Sequence, residues 1–268
     1  MKAALIGRAT CYSPNSVEKD AAILSAVSRQ LALMGAECGD IIGEDSLTQL
    51  PPADVYLTMG RHLGTLALLD NHDVAPLVMN SSCAIRLCSH RGHLMSALEK
   101  AGLPVPPLEG NDGYWVKRAD GYAQTAADVQ YASCRDEACE IAGQMTLRGV
   151  KEVEIRAHVK GDLIKFYAVR NTGFFRYYYP GDDGDWKFTS EQRNGVPCHY
   201  RFDSDLLAQM AEKAAQLVGL DIYGGDCVIC PNGSPVLIDL NDWPSFSRCR
   251  EEAAEAIARR AFQIIGNV

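Results

Sequence analysis

Short apolar runs alternate with stretches of helical spacing over the first part of the chain. Residues 1–7 form an apolar run closing on Gly7 and predict a buried strand. Over 18–34 the apolar residues fall at 22, 23, 27, 31 and 34, the spacing of one helix face. Runs at 55–60 and 75–80 predict two further strands, with a helix over 63–69 between them. Strands alternating with helices predict a small parallel α/β layer over residues 1–85. A helix over 89–102 follows. It ends Lys100-Ala101-Gly102-Leu103-Pro104, a basic residue, a glycine and a proline in the order that stops a helix. Val105-Pro106-Pro107 reads as a linker.

The pattern then changes. Tyr114 to Arg118 predicts a strand, Asp120-Gly121 a turn, and the chain from Tyr122 a returning partner strand. A helix is predicted over 135–148. Glu152 to Val159 and Leu163 to Val169 predict a hairpin about Lys160-Gly161-Asp162. The polar, glycine-rich stretch 181–195 predicts a mobile loop. Leu206, Met210, Ala214 and Leu217 form one stripe of a helix over 204–218, and a last helix spans about 250–265. Asn232-Gly233 between two apolar runs predicts a tight hairpin. The predicted fold class is therefore α/β plus α+β: a parallel N-terminal subdomain over 1–104, then antiparallel-sheet α+β over 105–268.

Composition narrows the function. The 268 residues are 47% hydrophobic and 22% charged, ordinary for a globular protein and enough for more than one subdomain. Lys and Arg number 26 against 34 Asp and Glu, a formal charge of −8. An acidic chain lacks the electrostatic footprint of a nucleic-acid binder, so no such partner is expected. No run approaches the roughly 18 apolar residues of a membrane span, and the first run is too short for a secretory leader. The expectation is a cytoplasmic protein without membrane contact. Ten scattered cysteines without paired CxxC motifs predict buried, reduced thiols.

Candidate chemistry concentrates in 222–246. A two-residue turn at Asn232-Gly233 places Pro231 opposite Ser234, and hence Asp226 opposite Asp239, with Asn241 on the same face. Two carboxylates directly opposed on a sheet repel, and a divalent cation resolves the conflict. Two carboxylates and an amide oxygen are hard ligands suited to Mg²⁺. Lys117, in an otherwise apolar strand, calls for an anionic partner. Glu152, Glu154, Arg156 and His158 alternate onto one face, with Lys165 on the following strand; such a face is solvated or lines a ligand cleft. P-loop, GxGxxG, HExxH and GxSxG motifs are absent.

This pattern resembles the ATP-grasp superfamily, most specifically over 219–246. Gly219-Leu220-Asp221-Ile222-Tyr223-Gly224-Gly225-Asp226 is similar to the strand carrying that family's first metal aspartate. Asp239-Leu240-Asn241 is similar to its acidic-x-Asn motif. The resemblance implies an ATP-grasp-type pair of subdomains after the N-terminal one, with ATP and two Mg²⁺ ions as cofactors. It implies ATP contacts from Lys117, Arg91 (where the family usually has a lysine), the Glu154-Ile155 adenine hinge, and Lys165. Either Arg176 or Arg193 would reach the transferring phosphoryl group. His158 and Arg248 would bind substrate. The Gly161 to Tyr167 run and Trp243-Pro244 also look similar to the inositol-phosphate kinase branch. A departure is the phosphate loop, where 118–122 carries a single glycine. The implied activity is ADP-forming ligation of a small-molecule or peptide carboxylate to an amine. The alternatives are a small-molecule kinase, or a catalytically degenerate nucleotide-binding protein.

Overall fold

The computed structural model describes residues 1–13, 16–71, 73, 77–121, 123, 125–182 and 193–266. Its N-terminal layer is a parallel sheet of β1 (Lys2–Gly7), β2 (Glu37–Cys38), β3 (Ile42–Gly43), β4 (Val55–Thr58) and β5 (Val78–Met79). The order is β2-β1-β4-β5, with β3 also on β1. Helices α1 (Val17–Leu33) and α2 (Leu63–Leu69) make the crossovers. The alternation read from the sequence reports this layer correctly and misses only β2 and β3.

A helix that was not foreseen, α3 (Ser82–Ser89), precedes the one expected over 89–102, which forms as α4 (Arg91–Lys100). His90, at φ −104° and ψ 85°, leaves the helical region between them. Ser81 starts the first by accepting a hydrogen bond from the Ala84 amide at 3.2 Å, the ordinary work of an N-cap serine.

The next sheet has the order β7-β6-β8, from β6 (Tyr114–Arg118), β7 (Val129–Ala132) and β8 (Val153–Ala157), backed by α5 (Arg135–Leu147). Tyr122, the expected start of the returning strand, lies outside the described residues. The strand itself begins at Val129. A helical turn capped reciprocally by Thr125 and Asp128 occupies the residues just before it.

The last sheet has the order β10-β9-β11-β12, from β9 (Asp162–Val169), β10 (Phe174–Tyr178), β11 (Ile222–Ile229) and β12 (Pro235–Asp242). The hairpin expected about Lys160-Gly161-Asp162 does not form. β8 pairs with β6, whereas β9 pairs with β10 and β11, so the chain changes sheets there. Both strands carry the correct alternation, but alternation does not specify the partner. Strand β10 was not foreseen. Most of the loop expected over 181–195 lies outside the described residues.

Period-two alternation divides β9 and β11 between two environments. Ile164, Phe166 and Ala168, with Tyr223, Cys227 and Ile229, pack on α6 (Ser204–Val218) through Leu207, Met210, Ala211 and Ala214. Leu163, Lys165 and Tyr167, with Asp226 and Val228, turn the other way, toward a cleft. The closing helix α7 (Arg250–Gly266) packs with α1 over the N-terminal sheet. Asn80, fully buried, ties the sheets together. Its Oδ1 accepts from the amides of Asp221 and Ile222 at 2.8 Å each, and its Nδ2 donates to the Ile222 carbonyl at 2.6 Å.

The expectation of buried thiols is corrected. Only Cys227 and Cys249 are buried; Cys11, Cys83, Cys134, Cys139 and Cys198 are exposed, and all ten are free. No helix among the described residues is long and apolar enough to cross a membrane.

Candidate functional site

The cleft face of the last sheet is ordered in rows. Tyr178 stands opposite Lys165, Lys165 opposite Asp226, and Asp226 opposite Asp239. One step away run Arg176, Tyr167, Gly224 and Asn241. One step the other way lie Leu163 and Val228, buried and apolar. A charged surface therefore grades into an apolar one toward the β11–β12 turn.

The opposition of Asp226 and Asp239 is as expected from sequence, but the turn is not. The loop holds three residues: Gly233 donates to the Cys230 carbonyl at 2.8 Å, and Cys230 to that of Ser234 at 2.9 Å. Gly233 sits at φ +83°, the left-handed position such a loop requires. That shifts Ile229 opposite Pro235 and Cys227 opposite Leu237. A bulge then absorbs one residue, so that Ile238 and Asp239 both face the cleft while Leu237 and Leu240 both enter the core. The two one-residue displacements cancel at Asp226. Close approach there depends on Gly225, where a Cβ would lie 2.3 Å from the Asp239 carbonyl oxygen and 2.6 Å from the Phe166 ring.

Both carboxylates have cationic neighbours. Arg91, the first residue of α4, places Nη2 2.9 Å from Asp239 Oδ2. The Lys165 Nζ is 3.9 Å from Asp226 Oδ1. The Nε and Nη1 of Arg91 are buried without a hydrogen-bond partner. Among the described residues no cluster of three His, Cys, Asp or Glu could itself hold a metal. The available donor set is the two carboxylates and the Asn241 amide oxygen. Its chemistry fits a hard cation that takes its remaining ligands from water or phosphate.

The β7-β6-β8 sheet forms the opposite wall. Lys117 stands opposite Glu154, and Trp115 opposite Arg156, all on the cleft side. Glu154 Oε1 accepts from Arg156 Nε at 2.5 Å, and Arg156 is only 8% exposed. The side chain of Ile155 points the other way, into the cluster against α5. His158 follows on the cleft side and accepts a hydrogen bond at Nδ1 from the Trp115 indole at 3.0 Å. Burial first, and then Arg193, hold its pKa below the ordinary histidine range.

The N-terminal layer closes the third side. Glu44, 3% exposed, accepts from the amides of Ala9, Arg61 and His62 at 2.6, 2.6 and 2.7 Å, pinning the loops after β1 and β4. Arg61 grips Asp242 bidentately at 3.2 and 2.8 Å. Arg8 reaches the Trp243 carbonyl at 2.8 Å and Asp20 at 3.3 Å. None of these was picked out from sequence. The available signal was position, since Arg8 and Arg61 follow the carboxyl ends of parallel strands, where such sheets bind ligands.

The cleft encloses about 610 Å³, within the usual range for a small-molecule site. Of the residues expected to act, Arg91, Lys117, Glu154, His158, Lys165, Asp226, Asp239, Asn241 and Arg248 converge on it. Three others do not line it. Ile155 packs toward α5, Arg176 pairs with Glu252 on α7, and Arg193 lies over the Tyr131 ring at 3.7 Å. Its described lining carries eight basic side chains against five acidic ones, in a chain of net charge −8. Such a focused positive field suits an anionic ligand. Tyr167 and Tyr178 are pushed up to about 12, chiefly by burial, and stay protonated donors. Desolvation, and then Asp242, likewise raise the half-buried Cys88 thiol well above its usual value. The cleft thus presents positioned charges and protonated hydroxyl donors.

No family model and no curated protein sequence matches the chain. Solved structures do. A RimK-domain ATP-grasp protein from Sphaerobacter thermophilus superposes at a TM-score of 0.63 with 17% identity, covering 97% of this chain and 98% of its own. The D-alanyl-alanine synthetase A of Vibrio cholerae gives 0.69 at 12% identity, covering 100% and 98%. The D-alanine–D-alanine ligase of Bacillus anthracis complexed with ATP gives 0.66 at 11%, covering 100% and 99%. With one parallel sheet, two antiparallel sheets and near-complete overlap in each comparison, the chain has the fold of the ATP-grasp superfamily.

Proposed function

We propose that the protein is an ATP- and Mg²⁺-dependent carboxylate–amine ligase releasing ADP and phosphate. The observation that carries this reading is the set Asp226, Asp239 and Asn241 on one cleft face, with Arg91 and Lys165 beside the carboxylates. Its place in an ATP-grasp fold, with a D-alanine–D-alanine ligase and a D-alanyl-alanine synthetase among its structural neighbours, supports it further.

In this reading the nucleobase takes the apolar end, between Trp115, Val159, Leu163, Val228 and Ile238, and the phosphates lie over the charged rows. Asp226, Asp239 and Asn241 would hold Mg²⁺, which when bound neutralises charge on the phosphate oxygens. Lys117 and Lys165 offset the remaining charge from opposite walls. Arg91 is placed to exchange its Asp239 contact for a phosphate oxygen, which would satisfy its unpartnered nitrogens. A carboxylate oxygen of the acceptor attacks the γ-phosphorus and ADP leaves. The amine then attacks the acyl carbon and phosphate leaves. The chain contributes orientation, charge neutralisation and exclusion of water. Assistance to the phosphoryl group from Arg176 would require it to leave Glu252, and from Arg193 to leave the Tyr131 ring.

The acceptor end lies beyond Asn241 and holds Tyr12, Ser13, Ser16, Ser245 and Ser247 with Lys19 and Arg248. Hydroxyls flanked by two cations suit a small polar anion better than an apolar side chain. The test is an acceptor screen of mono- and dicarboxylates with amines, scored for ADP and inorganic phosphate. The expected result is a productive pair whose KM rises in Arg248→Ala while the ATP KM holds. Stoichiometric ADP with a phosphorylated acceptor and no free phosphate would replace the ligase with a kinase.

A further inference from the structure

His158 is more than one polar residue among many on the cleft wall. An indole N–H can only donate. The 3.0 Å contact from Trp115 Nε1 therefore makes His158 Nδ1 an acceptor, which leaves the proton on Nε2. The imidazole is held in place as well. Tyr131 meets it edge-on at 5.8 Å and 87°, and Trp115 lies 6.2 Å from it. Burial and the nearby Arg193 disfavour a second proton. The result is a neutral ring of fixed orientation and single tautomer, with Nε2–H as its one donor. Among the described residues Nε2 has no hydrogen-bond partner, and it is not among the side-chain atoms shut away from solvent without one.

Position identifies what that donor meets. Glu154, opposite Lys117, marks the charged end of this wall. His158 is four residues farther along, about 13 Å at an extended rise of ~3.3 Å per residue. That is about the reach from the phosphates of an extended nucleoside triphosphate to its base. Val159, next in the chain, and Leu163 line the cleft with it, and the charges acting on His158 are Arg193, Asp112 and Lys160 rather than Lys19 and Arg248 of the acceptor end. We infer that His158, fixed as its Nε2–H tautomer by Trp115, donates a hydrogen bond to a ring nitrogen of the bound purine and so reads the base rather than the acceptor. This rests on the ATP-binding reading above.

The test uses the full chain with Mg²⁺ and four nucleotides: ATP and its 1-deaza, 3-deaza and 7-deaza analogues, each analogue lacking one ring acceptor. Affinities are measured by calorimetry on wild type, His158→Ala and Trp115→Phe. One analogue is expected to bind roughly tenfold more weakly than ATP to wild type, the worth of one good hydrogen bond. That penalty should vanish in His158→Ala and shrink in Trp115→Phe, whose ring packs but cannot set the tautomer. Long-range ¹⁵N–¹H spectra of the free wild type should show Nδ1 unprotonated. Tight ATP binding with the same deaza penalties in wild type and His158→Ala would overturn the inference alone. No ATP binding by wild type would overturn it together with the ligase reading.

Discussion

The pair Arg61–Asp242 offers a stringent test of how the N-terminal layer holds the candidate metal strand. The two side chains are 7% and 1% exposed, and the guanidinium meets both carboxylate oxygens. Asp242 directly follows Asn241, so the contact fixes the end of β12 that carries the candidate amide ligand. A buried pair of this kind adds little relative to an apolar replacement, but removing one member leaves a desolvated charge and costs about 3–5 kcal/mol. At roughly 2–3 °C per kcal/mol for a chain of this size, Asp242→Asn should melt about 6–15 °C below wild type. The double variant Arg61→Met/Asp242→Leu removes both charges and should recover most of that loss. Urea unfolding at constant m-value with matched thermal scans measures both. If Asp242→Asn lies within about 1 kcal/mol of wild type, the pair is not the desolvated contact argued above. If the double variant is no better than the single, lost packing rather than uncompensated charge is responsible.

Two further outcomes follow from the same geometry. Gly225→Ala forces a Cβ against the Asp239 carbonyl and Phe166, so it should cost about 1–3 kcal/mol and weaken Mg²⁺-dependent nucleotide binding; unchanged binding in a folded variant would contradict the close-packed hairpin. Because the folded His158 resists a proton that the unfolded chain accepts, its contribution is full above pH about 6.5 and is lost as the pH falls below that value. Unfolding at pH 7.5 and 5.5 should therefore show a larger acid loss for wild type than for His158→Gln, and equal losses would refute the assignment of a neutral, half-buried ring.

Much of this architecture is legible in the chain because local chemistry and tertiary demand agree. The spacing of Leu206, Met210 and Ala214 foretells a helix, although Leu206 and Leu217 of the expected stripe are exposed and Leu207, Ala211 and Val218 are buried instead; Asp203 caps it by accepting from the amides of Asp205 and Leu206. The β11–β12 hairpin is legible because Asn232-Gly233 punctuates two apolar runs, although its loop is one residue longer than expected and the compensating bulge was not foreseen. Partner choice is where local reading stops. Strands β8 and β9 alternate just as a hairpin would, and only the sheet each joins distinguishes them. The ionic network of Arg8, Glu44, Arg61 and Asp242 leaves no periodic trace, since its members lie in loops or strand ends far apart in sequence. The pairing of Trp115 with His158 is likewise a register fact, visible once β6 and β8 are known to lie side by side.

The most direct test of the central claim is calorimetric titration of ATP into wild type and Asp239→Ala, each with and without Mg²⁺. The account predicts binding to wild type that depends on Mg²⁺ and becomes at least about tenfold weaker in the variant. Absence of binding to a folded wild-type protein, or binding indifferent to both Mg²⁺ and Asp239, would contradict it and leave the ATP-grasp fold without the nucleotide chemistry assigned to it.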